Sequence, residues 1–131
     1  MTSVDGTCSG ILVVDDNADL LKTLVEVLTD EGYLVTTARD GGEALATLHS
    51  AALLPCVILL DLTMPGMNGE QFRSKQLADP TLASIPVLGF TADPTNHERL
   101  RAMNVAAVVP KPVSLETLLA ILARYCDVVP R

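Results

Sequence analysis

Five short apolar runs, at residues 11–15, 33–38, 56–61, 85–91 and 106–109, are separated from one another by stretches with helical spacing. Runs of that length suit strands buried on both faces. Strands that alternate with helices become parallel neighbours, because a parallel pair needs a long crossover, and such crossovers are right-handed. The alternation therefore predicts an α/β fold in three layers, a doubly wound five-stranded parallel sheet with helices on both sides. At 131 residues and 49% apolar content, the chain has the length of one domain and the material for a proper core.

The helices differ in how plainly they are written. Residues 18–30 place Leu20, Leu24, Val27 and Leu28 on one face, and Gly32 follows as a C-terminal stop. Asp40, with Glu43 three residues later, makes a capping-box-like start for a helix directing Ala44, Leu45 and Leu48 inward. Asp93 before Pro94 and Ser114 before Leu115 fit helix N-termini, and Leu115, Leu118, Leu119 and Leu122 align along the last helix. The helix after Gly69 is the weakest, since Phe72 and Leu77 do not share a 3.6-residue face. No internal linker, repeat or low-complexity segment interrupts the pattern.

Composition removes several classes of function. Nine Lys and Arg against sixteen Asp and Glu give a net charge of −7, the wrong sign for a phosphate backbone. With no Trp and 3% aromatics there is no stacking platform for single strands, so direct nucleic-acid binding is not expected. Apolar runs such as 55–60 fall far short of the ~20 residues of a membrane-spanning helix. Residues 1–10 have neither the basic start nor the apolar stretch of a leader, so we expect no membrane insertion and a soluble, cytoplasmic chain. Cys8, Cys56 and Cys126 form an odd set without paired spacing and read as buried or idle thiols rather than a disulfide framework or zinc site. His49 and His97, on helical patterns, read as solvated surface residues, and Met64 and Met67 as loop packing.

The chemistry is concentrated where the strands end. In an open α/β sheet the ligand crevice lies outside the carboxyl ends of the strands. Here the first strand finishes in Asp15-Asp16, the third in Asp61, the fourth in Thr91, and the fifth runs out at Lys111. Three carboxylates meeting within a few ångströms repel one another unless a cation sits among them. Oxygen donors without nearby His or Cys point to Mg²⁺ rather than zinc. An Asp carboxylate beside that ion can act as a nucleophile toward phosphorus, with Lys111 holding a phosphoryl oxygen by charge and Thr91 by hydrogen bond.

The residues that carry this pattern are Ile11-Leu12-Val13-Val14-Asp15-Asp16-Asn17, Leu59-Leu60-Asp61-Leu62-Thr63-Met64-Pro65-Gly66-Met67-Asn68-Gly69, Phe90-Thr91-Ala92 and Pro110-Lys111-Pro112. Together, in that order, they resemble the receiver domains of two-component response regulators, over residues 10–126. Outside that span, residues 1–9 read as a mobile N-terminal tail and 127–131 as a C-terminal tail. The resemblance implies a flavodoxin-like sheet of order 2-1-3-4-5 and phosphorylation of Asp61 by a histidine kinase or histidine phosphotransfer protein. It implies Mg²⁺ bound by the side chains of Asp16 and Asp61 and the backbone carbonyl of Thr63, with Asp15 acting through water. Thr91 takes the place of the switch hydroxyl and Lys111 that of the phosphate-pairing lysine, and the Lys111–Pro112 peptide is implied to be cis.

The chain also departs from the family. Val108 stands three residues before Lys111, where the family usually has the Tyr or Phe that swings inward with the switch hydroxyl. Gly89, Phe90 and Pro110 are further oddities, and together they suggest a rearranged output face around the last two strands. The leading expectation is a non-enzymatic signalling module, limited to self-phosphorylation and autodephosphorylation. It would be read by an unknown output protein at the face of the fourth strand and last helix. The last helix ends close to Arg131, so the chain reads as a stand-alone receiver or one excised from a larger regulator or hybrid kinase. A small phosphatase with an aspartyl-phosphate intermediate is the alternative, since Asp61-Leu62-Thr63 faintly resembles the haloacid-dehalogenase nucleophile loop; it is weakened because that family normally has a second acid where Thr63 stands and because no cap segment is present to enclose a small substrate. A flavin or nucleotide binder ranks last, since no Gly-rich phosphate loop follows the first strand.

Overall fold

The computed structural model of the protein describes residues 10–62, 66–93, 96–111 and 114–126, with the side chain of His97 excepted. The two tails, Cys8, the Thr63 carbonyl, Met64, Pro94 and the Lys111–Pro112 bond lie outside the described residues. The strands are β1 (Gly10–Val14), β2 (Leu34–Ala38), β3 (Val57–Asp61), β4 (Val87–Thr91) and β5 (Ala107–Pro110). Between and after them run α1 (Ala18–Asp30), α2 (Gly41–Ser50), α3 (Gly69–Ala78), α4 (Asn96–Ala102) and α5 (Leu115–Leu122). All strand pairs are parallel and the sheet order is β2-β1-β3-β4-β5, the flavodoxin-like arrangement. Strand limits differ by up to two residues from those read in the sequence.

Alternate residues of the strands feed two cores. On one side Ile11, Val13, Leu59, Phe90 and Val109 pack against α1 and α5. On the other, Leu12, Val14, Ile58, Leu60 and Val87 pack against α2 and α3. In α1 the fully buried residues are Leu21, Leu24 and Leu28, while Leu20 and Val27 are only partly covered. The buried stripe is therefore rotated by part of a turn from the one read in the sequence. In α5 Leu118 and Leu122 are buried, but Leu115 in the first turn is exposed.

Helix starts follow local chemistry. Asn17, Asp40 and Ser114 accept backbone N–H bonds from Leu20, Glu43 and Thr117. The Glu43 carboxylate accepts from the Arg39 N–H rather than from Asp40, so the box suggested there closes one residue early. A complete capping box stands instead at α3, where Asn68 and Gln71 bond each other's backbone N–H at 2.9 Å each.

The α3 helix explains its faint pattern. Its buried side chains are Phe72, Arg73 and Gln76, and Leu77 faces outward. Gln76 Nε2 donates to the carbonyls of Leu82 and Ile85 at 2.9 and 3.0 Å. Arg73 donates to the carbonyls of Met103 and Asn104, just past the end of α4, at 3.0 and 2.9 Å, and to Gln76 Oε1 at 2.8 Å. Burial holds the Arg73 guanidinium below its ordinary pKa.

Gly89 has a steric reason. A Cβ there would stand 2.6 Å from Leu100 Cδ2, so its absence lets α4 lie close on the sheet. Val108 is its register partner on β5. His49, on α2, bonds Asp79 just past the end of α3 at 3.2 Å and is not merely solvated. Cys126 is buried and Cys56 partly buried.

Candidate functional site: an acidic crevice at the carboxyl end of the sheet

Chain direction alone brings the candidate residues to one edge, since β1, β3, β4 and β5 all run the same way. Asp15 follows β1 directly. Its N–H continues the ladder to Ala38 O at 3.0 Å, and its Oδ1 accepts from the Asn17 N–H at 2.9 Å. The carboxylate is thus almost fully buried, while neighbouring Asp16 points into solvent. Asp61 closes β3 and is 7% exposed.

Asp61 is set by the turn after it. Gly69 N–H bonds Leu62 O at 3.0 Å, folding the start of α3 back onto the strand end. A Cβ on Gly69 would meet Asp61 O at 2.7 Å and Leu62 Cα at 2.9 Å, so only glycine permits this approach. The same loop is tied to α2 by the Gly41 N–H bond to Met67 O at 2.9 Å.

Asp15, Asp16 and Asp61 can each offer one oxygen such that the three lie within 4.8 Å of one another. Among the described residues no other set of three or more His, Cys, Asp or Glu groups has metal-ligand spacing. Lys111 is placed against them by its N–H bond to Thr91 O at 2.8 Å. Its ammonium lies 2.6 Å from Asp15 Oδ2 and 3.8 Å from Asp61 Oδ1, and 4.8 Å above the centre of the Phe90 ring. Asp15 is therefore the nearer partner of the lysine, through a short charge-assisted bond. Phe90 steadies the cation from the other side, a role the sequence did not suggest.

Thr91, buried at the end of β4, is turned away from simple exposure at the crevice. Its Oγ1 accepts from the Asp93 N–H at 3.1 Å and from Asn96 Nδ2 at 3.2 Å. Asn96 went unread because an Asn beside a helix start signals no more than a cap. The structure thus gathers Asp15, Asp16, Asp61 and Lys111 into one cluster and holds the Thr91 hydroxyl toward α4, and Thr63 lies outside the described residues. Chemically, this is a hard-oxygen donor set with one adjacent ammonium. Its three carboxylates and one cation leave two formal negative charges for a divalent ion to balance. No helix among the described residues is long and apolar enough to cross a membrane.

Comparison with known proteins places the fold. The response regulator PleD of Caulobacter vibrioides is 42% identical over 105 residues, which make up 79% of this chain and 23% of PleD. The chain spans less than a quarter of the length of several such relatives. Among solved structures, the chemotaxis response regulator CheY4 of Vibrio cholerae is 32% identical with a TM-score of 0.79, covering 90% of this chain and 98% of that one. The receiver domain of the sensor histidine kinase PA1611 from Pseudomonas aeruginosa, solved with a magnesium ion coordinated in its active-site cleft, is 26% identical with a TM-score of 0.78, covering 90% and 97%. The model of the response regulator receiver domain matches residues 11–123, and with that span of the chain, the fold and the strand order all in agreement, the protein belongs to the receiver domains of two-component signalling.

Proposed function

We propose that the protein accepts a phosphoryl group on Asp61 from a histidine kinase or histidine phosphotransfer protein, and that Mg²⁺ serves this transfer. The observation that carries the reading is the convergence of Asp15, Asp16 and Asp61 within 4.8 Å, beside the Lys111 ammonium. The all-oxygen donor set suits a hard divalent ion. The magnesium described for the PA1611 receiver supports the same choice. Asp16 and Asp61 would hold the ion through their side chains and Thr63 through its backbone carbonyl, with Asp15 acting through water. When bound, Mg²⁺ supplies charge neutralisation for the incoming phosphoryl oxygens.

The chain's own residues do the rest. A carboxylate oxygen of Asp61 attacks phosphorus; the new P–O bond forms as the donor's P–N bond breaks, its electron pair remaining on the imidazole nitrogen. Lys111 stands 3.8 Å from Asp61 Oδ1 and can turn from Asp15 toward a phosphoryl oxygen. Thr91 reaches a second oxygen when its hydroxyl leaves α4. The modified form shifts a conformational equilibrium that an output protein reads.

Intact-mass spectrometry after incubation with acetyl phosphate tests this, with and without Mg²⁺, on the native chain and on Asp61→Asn. The expected result is one added phosphate, dependent on Mg²⁺, labile in base and lost in Asp61→Asn. A folded native chain that takes up no phosphate with Mg²⁺ present would refute the reading.

A further inference from the structure

A chain of polar contacts leads away from Thr91 and has no part in the transfer chemistry. Asn96 opens α4 and is buried, and its Nδ2 donates to Thr91 Oγ1 at 3.2 Å. Its Oδ1 accepts from Arg99 Nη1 at 3.1 Å, one turn further along the helix. Arg99 Nη2 in turn meets the carboxylate of Glu70, in the first turn of α3. A guanidinium has donors only. Arg99 therefore selects the oxygen end of the Asn96 amide, which leaves the amide NH₂ facing the Thr91 hydroxyl.

We propose that Asn96 is a positioning residue for the Thr91 hydroxyl. It holds that oxygen on the α4 side while Asp61 is unmodified, and passes its departure through Arg99 to the Glu70 edge of α3. The inference rests on Asp61 as phosphoacceptor and Thr91 as a phosphoryl partner. A change of χ1 rotamer that carries Oγ1 toward Asp61 takes it out of reach of a fixed amide. Asn96 then keeps a buried donor that has lost this acceptor, and the amide gains reason to turn, which removes the oxygen that Arg99 holds. Glu70 and Arg99 line the groove between α3 and α4, so the change arrives at a surface. Such a relay does not need the aromatic residue that Val108 replaces. It moves the readout from the β4–α5 face to the α3–α4 face.

The test is titration with beryllofluoride, a phosphoryl mimic, in the presence of Mg²⁺, on the native chain, Asn96→Ala and Arg99→Ala. Affinity is read by fluorine NMR, and the relay by the Arg99 Nε–H signal. Asn96→Ala should bind about fivefold more tightly, the factor expected when one hydrogen bond no longer favours the withdrawn hydroxyl. The Arg99 signal should shift on titration in the native chain and stay still in Asn96→Ala. Arg99→Ala leaves the first residue of α4 intact and should show a smaller tightening in the same direction. Equal or weaker binding by both variants, or an Arg99 signal that shifts alike with and without Asn96, would overturn the inference. A merely structural Asn96 would lower the melting temperature and weaken binding. A native chain that binds no beryllofluoride would instead overturn the phosphoacceptor reading on which the inference stands.

Discussion

Helices α1 and α5 on one face of the sheet and α3 on the other are held by different physics, although both faces have an apolar core. Against α1 and α5 the buried helical side chains are Leu21, Leu24, Leu28, Leu118 and Leu122, all aliphatic. Against α3 the buried set is Phe72 with Arg73 and Gln76, whose polar atoms bond the carbonyls of Leu82, Ile85, Met103 and Asn104. Apolar burial is non-directional and tolerates repacking at constant volume. Buried hydrogen bonds tie irregular chain at fixed points, and losing one partner leaves the other unsatisfied. The first face is a generic support for the sheet. The second fixes the position of α4, the helix that carries Asn96.

Substitutions can break this contrast. The largest effect is expected from Leu24→Ala, which removes volume from the aliphatic face and should cost about 2–5 kcal/mol in urea unfolding, whereas Leu24→Met should cost less than about 1.5 kcal/mol. Arg73→Met is similarly conservative in bulk, yet it strips the Met103 and Asn104 carbonyls and Gln76 of a donor, and should cost about 2–3 kcal/mol. If it proves as mild as Leu24→Met in the same unfolding experiment, the distinction between the faces fails. Capping sharpens the picture at a smaller scale, with Ser114→Ala and Asn68→Ala each expected to lower stability by about 1 kcal/mol. Amide exchange should confine the first effect to α5 and spread the second to the loop beneath Asp61, because α3 is tied to that loop at Gly69.

The smallest expected effect depends on pH. The Thr81 hydroxyl and N–H, and then His49, hold the Asp79 carboxyl below its ordinary value of 3.8. Because the folded value is depressed, the ionised group contributes stability above the ordinary value and loses it as pH falls through the folded one. The melting-temperature difference between the native chain and Asp79→Asn should therefore shrink as pH falls below about 4. A difference unchanged down to about pH 2 would show that the carboxylate charge plays no part.

Legibility followed the same division. The α1 stripe could be read because Leu24 and Leu28 repeat at helical spacing, although Leu21 displaced Leu20 as its buried member. The α3 helix could not, because Arg73 and Gln76 face inward and Leu77 outward, which reverses the usual rule. Gly89 is an oddity in the sequence and finds its reason in Leu100 packed against it, as Phe90 does in the Lys111 ammonium over its ring. Each depends on a partner distant in the chain, which no local pattern encodes.

The sequence by itself determined the alternation of strands and helices, and with it a parallel sheet whose carboxyl edge gathers Asp15, Asp16, Asp61, Thr91 and Lys111. Strand direction and hydrophobic period are local properties, and they suffice to say which residues share an edge. Only the tertiary structure decided that Lys111 lies nearer Asp15 than Asp61 and that the Thr91 hydroxyl is held by Asn96. It likewise decided that α4 rests on Gly89 while Arg73 bonds the carbonyls beyond its end. Those choices are made by side chains competing for partners across the fold, at distances of a few ångströms that the order of residues leaves open.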